Sequence, residues 1–193
     1  MALAIEPDRE EEITVDSLAI KGLPLKYQKQ RFDDWCWAAC YLMVFNQATF
    51  IPKIEYQCIF GRKAFGKKCC TQHLDLCKGK KLPLKKIAPN WNFWLRKYNQ
   101  LGDVKVTASQ ISFSHLISEL ASRPVQLLFG KVTSLEPLKG HGHAVMADRY
   151  YFEDRPDHEK TICYNDPARG LCHRTFNYLR GSSSWAATWT NIR

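Results

Sequence analysis

No stretch of apolar residues in this chain of 193 residues approaches the ~20 that a transmembrane helix requires, so the sequence predicts no membrane span. The N-terminal segment is acidic around Glu10–Glu12 and lacks the basic start and the apolar core of a secretory signal peptide. These absences leave three alternatives: a cytosolic protein, a protein exported by a route that uses no cleaved signal, or a protein whose signal has been removed.

The sequence also lacks zinc-finger spacing, an RNP-type aromatic strand and a KH-type loop, so we expect no nucleic-acid partner. Its net charge is nevertheless +9, from 28 basic and 19 acidic residues, and the basic excess gathers between Arg62 and Lys86. A run of like charges is usually a solvated surface. The functional alternatives are an acidic partner, an anionic envelope or nucleic acid, and the charge gives weak support to the acidic partner.

Length and composition predict one folded domain. The chain has 45% hydrophobic residues and six tryptophans, which is typical of a globular protein with a substantial core and not of a disordered one. Residues 1–20 are acidic and show no periodicity before Ile13, so we expect a flexible leader there. The domain is then expected to cover residues 21–193.

The first half of this domain, about 21–123, has the periodicity of helices. Asp33 and Asp34 are good N-cap residues, and the apolar spacing after them predicts a helix with one buried face. The interval 52–90 is expected to be loop-rich. The predicted helices cover about 34–47, 90–98 and 112–120, and the last of them ends before Arg123-Pro124.

The second half, about 124–193, has short runs rich in β-branched and aromatic residues, separated by Gly, Pro and Asp. These runs predict strands at 125–129, 143–152, 161–165, 172–176 and 185–190. Helices followed by strands indicate an α+β fold with an N-terminal helical half and a C-terminal antiparallel β-sheet half. The active site would then lie in a cleft between the two halves.

Cys36 lies in the first turn of the first predicted helix, with Asp34 as the expected cap. Unpaired backbone N–H groups and the positive end of the helix dipole favour a thiolate there, and the thiolate is the nucleophilic form of cysteine. The alternative is that Cys36 is one more buried structural residue.

Two residues of the β half would complement such a thiolate. His143 begins an apolar strand-like run, and Asp166 ends the next such run. In antiparallel neighbours the start of one strand lies beside the end of the other, so we expect the imidazole and the carboxylate to meet at one edge of the sheet. The carboxylate would orient the imidazole and stabilise its protonated form. His141 would point to the same face as His143 and is the alternative base.

Gln30, with Cys36 six residues on and Trp37 directly after it, resembles the start of the papain-like cysteine proteases. The Trp-Cys-Trp-Ala-Ala form, the Gly-His-Ala-Val histidine and the Asn-Asp-Pro aspartate are most similar to the compact bacterial branch, which includes secreted effector proteases. The resemblance covers roughly residues 24–190. It implies the papain-like form of the α+β fold and no cofactor.

The resemblance also implies a role for each member of the site. Gln30 is the expected oxyanion-hole donor, Cys36 the nucleophile, His143 the base in preference to His141, and Asp166 the orienting residue. The plant and animal enzymes usually have Asn at the third position, so Asp166 departs from them and agrees with the compact branch. The 107 residues from Cys36 to His143 are fewer than the ~130 of papain-type chains, which fits a trimmed scaffold.

Eight cysteines allow several pairings, and with Cys36 set aside seven remain, so at least one more is free or bound to something else. The interval 52–90 lacks the paired Cys-x-x-Cys units of strong zinc motifs, so we favour disulfides over a zinc site that would include His73, and we expect no metal. Cys163 and Cys172 are expected to lie near each other across a hairpin, either bridged or as two buried thiols. The candidates for disulfides or structural thiols are Cys58, Cys69, Cys70, Cys77, Cys163 and Cys172.

Three functions remain open at this point. The first is a peptidase that acts on protein or peptide substrates and is delivered as a bacterial effector or toxin. The second uses the same residues for deamidation, transpeptidation or amide cleavage in peptidoglycan, and the third is a cysteine-rich binding module without turnover. The resemblance implies export without a cleavable signal peptide, from the cytoplasm to a target cell. It also implies a cognate inhibitor (immunity) protein, and a net charge of +9 would suit an acidic one.

Overall fold

The structure, a computed structural model, describes residues 21–47, 57–66, 82–97, 104–107, 109–130, 142–151, 160–181 and 185–192. Some of the predictions concern residues outside these ranges, namely the leader 1–20, Cys69, Cys70, His73, Cys77 and His141. For those residues the predictions stay predictions.

The described part of the chain forms five helices and one seven-stranded sheet. The helices are α1 (Cys36–Phe45), α2 (Cys58–Phe65), α3 (Leu84–Lys97), α4 (Phe113–Leu120) and α5 (Phe176–Gly181). The strands are β1 (Lys21–Gly22), β2 (Lys105–Thr107), β3 (Val125–Gly130), β4 (Gly142–Tyr151), β5 (Thr161–Asp166), β6 (Gly170–Thr175) and β7 (Trp185–Thr190).

The sheet is antiparallel, with the strand order β2-β7-β3-β4-β5-β6 and with β1 paired to β4. Helices combined with an antiparallel sheet confirm the predicted α+β class, and the five predicted strands agree with β3 to β7 within two residues at each end. The order along the chain is less regular than expected. Strands β1 and β2 lie in the half expected to be helical, and α5 lies among the strands of the second half.

Strand β4 shows how the sheet is covered on both faces. Ala144 and Met146 belong to a core shared with α1, α2 and α3, whereas Val145 and Ala147 belong to a second core shared with α4 and α5. Successive side chains of a strand point to opposite faces, so the sheet lies between two layers of helices. A strand that is covered on both faces has apolar residues on both, which explains the unbroken apolar run from Ala144 to Ala147 in β4.

Helix α1 differs from the prediction in its start and in its burial. Its N-cap is Trp35 and not Asp34, because the Trp35 N–H donates to the carbonyl of Phe32 (2.9 Å) and closes a turn before the helix begins. All ten residues of α1 are buried, where one apolar face was expected. One contact that covers the second face joins Tyr41 to Trp91 of α3, with 3.9 Å between the ring centroids.

Helix α3 begins at Leu84, six residues before the predicted start, and contains Pro89 in its interior. Ile87, Trp91 and Leu95 are all buried, and their spacing places them on one face of the helix. Burial of this face outweighs the ~3 kcal/mol that an internal proline commonly costs. The interval expected to be loop-rich therefore contains all of α2 and the first turns of α3.

We expect Gly142→Ala to destabilise the protein. A Cβ at this position would lie 2.7 Å from the carbonyl oxygen of Phe129 and 2.8 Å from the side chain of Leu128, so β3 and β4 would have to separate. Overpacking of this kind costs about 1–3 kcal/mol, which urea denaturation would measure as a lower free energy of unfolding. Gly181→Ala is the matched control, since nothing lies within 4 Å of a Cβ there. Equal effects of the two substitutions would contradict this account.

Candidate active site

Cys36 is the first residue of α1, and its sulfur lies against the start of β4. The backbone N–H of Ala144 donates to the Cys36 sulfur at 3.2 Å, and the same sulfur lies 4.0 Å from the carbonyl oxygen of Gly142. Gly142 and Ala144 are the residues directly before and after His143. The first turn of α1 and the first residues of β4 are therefore in direct contact at the candidate nucleophile.

His143 lies between Cys36 and Asp166. Its Nε2 is 2.7 Å from Oδ1 of Asp166, and the Cys36 sulfur contacts the backbone of the residues on either side of His143. Burial lowers the pKa of His143, but the hydrogen bonds to Asp166 and Cys36 and their negative charges outweigh burial and raise this pKa to about 9. The imidazole is therefore protonated at neutral pH, next to the sulfur.

Asp166 is the last residue of β5 and is buried. Besides the imidazole of His143, its Oδ1 accepts the backbone N–H groups of Ala168 (2.8 Å) and Arg169 (3.3 Å). Burial alone would raise the pKa of Asp166, but the bond and charge of His143 and the two N–H donors hold it below its usual value. The carboxylate therefore stays ionised and points at the imidazole.

Antiparallel pairing brings His143 and Asp166 together, as the sequence led us to expect. Met146 of β4 is paired with Asn165 of β5, so the first residues of β4 lie beside the last residue of β5. His141, the alternative base, lies outside the described residues. Sequence spacing thus predicted the contact between imidazole and carboxylate, whereas the position of Cys36 beside His143 depends on how α1 packs against β4.

Gln30 is joined to the Asp166 end of the site. Its backbone N–H donates to the carbonyl of Pro167 at 3.0 Å, and its side-chain Nε2 donates to the carbonyl of Asp33 at 2.8 Å. The amide nitrogen of glutamine carries two hydrogens, and the bond to Asp33 uses one of them. The Oε1 of Gln30 is buried and has no hydrogen-bond partner among the described residues.

Sequence reasoning missed Asp148, which anchors the segment that leads to Gln30. Asp148 is the bulged residue of β4, where the pairing with β5 shifts register, and it is almost fully buried. Its Oδ2 accepts the backbone N–H of Leu25 (2.8 Å) and the side-chain amide of Asn165 (2.9 Å), and its carbonyl accepts the N–H of Leu23 (3.1 Å). Burial raises the pKa of this carboxyl although these bonds oppose it. A single acidic residue inside an apolar strand was the signal in the sequence.

A pocket of about 350 Å³ opens beside Cys36. The acidic and basic residues that line it are Asp33, Asp34 and His143, and most of the other lining residues are apolar. The other lining residues come from the start of α1, from α3 and the residues before it, and from the facing ends of β3 and β4: Cys36, Trp37, Leu82, Ile87, Leu128, Phe129, Gly130, Gly142 and Ala144. A ligand in this pocket would reach the sulfur and the imidazole together.

The other described cysteines do not resemble Cys36. Cys58 is disulfide-bonded to a partner outside the described residues, and Cys163 and Cys172 are free thiols. Strand pairing places Cys172 opposite Tyr164 and Cys163 opposite His173, so the two cysteines do not face each other and form no bridge. The sulfur of Cys163 is 3.3 Å from Nδ1 of His173, but burial raises the pKa of this thiol to about 11 and keeps it protonated.

A comparison of the sequence with models of known protein families finds no match, and a comparison with curated proteins finds none either. No helix within the described ranges is both long enough and apolar enough to cross a membrane. Among the described residues, no group of three or more His, Cys, Asp or Glu side chains is arranged to hold a metal ion. The chemistry that the site can perform therefore has to be inferred from its own geometry.

We expect the raised pKa of His143 to appear in the pH dependence of stability. A group whose pKa rises on folding from 6.5 to about 9 contributes stability that is complete below the lower value and is lost as the pH rises through the higher one. Between pH 7 and pH 10, the free energy of unfolding should therefore fall more in the wild type than in His143→Gln. His115→Gln, which changes an exposed histidine of α4, is the control and should follow the wild type. Parallel curves for wild type and His143→Gln would refute the expectation.

Proposed function

We propose that the chain is a papain-like cysteine peptidase with Cys36 as nucleophile, His143 as acid and base, and Asp166 as orienting residue. The observation that carries this proposal is the cluster in which the Cys36 sulfur contacts the backbone on both sides of His143, while the imidazole of His143 bonds to the carboxylate of Asp166. A buried structural cysteine needs neither a protonated imidazole nor an ionised carboxylate beside it. This geometry favours an enzyme over a cysteine-rich binding module.

The proposed reaction is acyl transfer. The Cys36 thiolate attacks the carbonyl carbon of the substrate, the oxygen becomes an oxyanion, and His143 gives its proton to the leaving amine. The backbone N–H of Cys36 and the side-chain amide of Gln30 are the proposed oxyanion donors, each worth ~3 kcal/mol in comparable sites. Water then attacks the thioester carbonyl while His143 takes up a proton, which releases the acid and restores the thiolate.

The resemblance noted in the sequence supports a further part of the proposal. The pocket beside Cys36 would be the cleft of a papain-like fold, and it would hold a side chain of a protein or peptide substrate next to the scissile bond. The compact bacterial branch includes secreted effectors, so we propose delivery to a target cell without a cleaved signal peptide. Deamidation, transpeptidation and peptidoglycan amide cleavage would use the same attack on a carbonyl. They differ in the amide that is attacked or, for transpeptidation, in the amine that takes the place of water as acyl acceptor.

We expect a thiol-reactive epoxysuccinyl inhibitor to modify Cys36 selectively. The reaction requires a thiolate with a protonated neighbour, so it should slow by at least ~100-fold in His143→Ala. Peptide mapping by mass spectrometry measures the site and the rate. Cys163 is an internal control, because it also contacts a histidine but has a pKa of about 11. Slow labelling of several cysteines, unchanged in His143→Ala, would leave the binding module as the better account.

The products distinguish the reactions that share this chemistry. Cleavage of a protein substrate that is lost in Cys36→Ala would identify a peptidase. Ammonia release without chain cleavage would identify a deamidase, and the joining of two peptides would identify a transpeptidase.

We also propose that the outer surface of α2 and α3, which we term the basic face, binds an acidic partner such as the cognate inhibitor. The two helices contain no acidic residue, and Phe93 lies on this surface with 39% of its area exposed. The ammonium group of Lys63 is 3.7 Å from the centre of that ring. The basic residues of the face are all exposed: Arg62, Lys63, Lys85, Lys86, Arg96 and Lys97.

Charge reversal tests the basic face, with poly-L-glutamate as the acidic probe. Lys85→Glu/Lys86→Glu should weaken binding at low salt by at least ~5-fold, because charged surface contacts of this kind are strong only when salt does not screen them. The control is Lys26→Glu/Lys105→Glu, which changes the net charge equally at exposed positions outside the two helices. Equal loss in both variants would mean that only net charge matters and that the basic face is not a site.

A further inference from the structure

Gln57 is the buried residue that directly precedes α2, and its side chain reaches back to the segment that contains Gln30. Its Nε2 donates to the carbonyl of Lys29 at 2.6 Å, and its Oε1 accepts the backbone N–H of Arg31 at 2.9 Å. One side-chain amide is therefore bonded to the backbone on both sides of Gln30. These partners are 28 and 26 residues away along the chain.

The backbone of Gln30 itself is held from the opposite direction. Its N–H donates to the carbonyl of Pro167, the residue after Asp166. Three consecutive residues, 29 to 31, thus have backbone bonds to two separate parts of the fold, the start of α2 and the turn after β5. The Arg31 guanidinium adds a contact of 3.3 Å to the sulfur of the disulfide-bonded Cys58. The backbone that carries the Gln30 side chain is thus held from two sides.

We infer that Gln57 is a positioning residue for the oxyanion donor Gln30. The inference rests on the proposed function, because it gives Gln57 a role only if Gln30 binds the oxyanion formed on acylation of Cys36. Both hydrogen bonds of the Gln57 side chain go to the neighbours of Gln30, so Gln57 acts through Gln30 and not on the substrate. A displacement of ~1 Å in a positioning group can cost ~100-fold in rate, which makes such an anchor matter for catalysis.

The two hydrogen bonds that the Gln57 side chain makes require an amide at position 57. The carbonyl of Lys29 needs a donor and the N–H of Arg31 needs an acceptor, and a primary amide carries both on one planar group. Glutamate keeps the acceptor but loses the donor, and leucine loses both while keeping a similar volume. Gln57→Glu therefore removes one of the two hydrogen bonds, and Gln57→Leu removes both.

The test compares two reactions of the same sulfur. Acylation by a p-nitrophenyl ester of a blocked amino acid passes through an oxyanion, whereas alkylation by iodoacetamide displaces iodide from carbon and forms none. We expect Gln57→Leu to lower kcat/KM for the ester by at least ~10-fold, mostly through kcat, and to change the alkylation rate by less than about twofold. Gln57→Glu should lie between Gln57→Leu and the wild type in the ester reaction.

A double-mutant cycle separates positioning from general stability. In a Gln30→Ala background, Gln57→Leu should have no further effect on the ester reaction, because a residue that acts only through Gln30 has nothing left to position. The matched control is Gln110→Leu, which removes another glutamine side chain bonded to a distant backbone carbonyl, that of Arg180 at 2.8 Å. This control should leave both reactions unchanged. Circular dichroism and thermal unfolding identify any variant that does not fold. If Gln57→Leu does not fold, Gln57→Glu takes its place in the double-mutant cycle.

Two results would overturn the inference. The first is an additive loss on combining Gln57→Leu with Gln30→Ala, and the second is a parallel loss of alkylation and acylation in the single variant. Failure of the proposed function itself would look different. In that case wild-type Cys36 would react with neither reagent faster than Cys172, and the role of Gln57 would fall together with the role of Gln30.

Discussion

Helix α1 is enclosed on all sides, and its burial fixes the position of the candidate nucleophile. All ten of its residues are buried, with α2 and α3 on one side and β4 on another. A helix enclosed in this way cannot rotate or slide without opening cavities, and a cavity in a packed interior costs several kcal/mol. Its first residue, Cys36, is therefore fixed against the start of β4. At this position the sulfur accepts the Ala144 N–H.

The antiparallel sheet supplies the other half of the site by the same kind of constraint. Pairing of β4 with β5 brings the start of one beside the end of the other, and Gly142 allows β3 and β4 to approach closely at that point. His143 then stands between a sulfur and a carboxylate in a partly buried place, where charge interactions are stronger than in water. This explains why the protonated imidazole is favoured although burial alone would disfavour it.

Two buried polar side chains extend this arrangement to the segment before α1. Asp148 holds the backbone near Leu25, and Gln57 holds the backbone on both sides of Gln30. Buried polar groups are stable only when their hydrogen bonds are made, so each of these residues commits a distant segment to one position. The charge of the molecule is arranged separately. Six exposed cations lie on α2 and α3, which contain no acidic residue, whereas the site itself lies where α1 meets β4 and has two acidic residues in its pocket.

Local periodicity and capping were enough to predict the α+β class, the five strands of the second half within two residues, and the helix that Ser112 caps. The sequence also placed His143 and Asp166 at one edge of a sheet, since antiparallel neighbours obey that rule. Three other features could not be predicted in this way: Trp35 precedes α1, α3 runs through Pro89, and Cys163 faces His173 and not Cys172. The roles of Asp148 and Gln57 belong to the same group. Each depends on packing or on hydrogen bonds between residues far apart in the chain. Interactions of this kind do not produce a periodic pattern in the local sequence, so the pattern could not predict them.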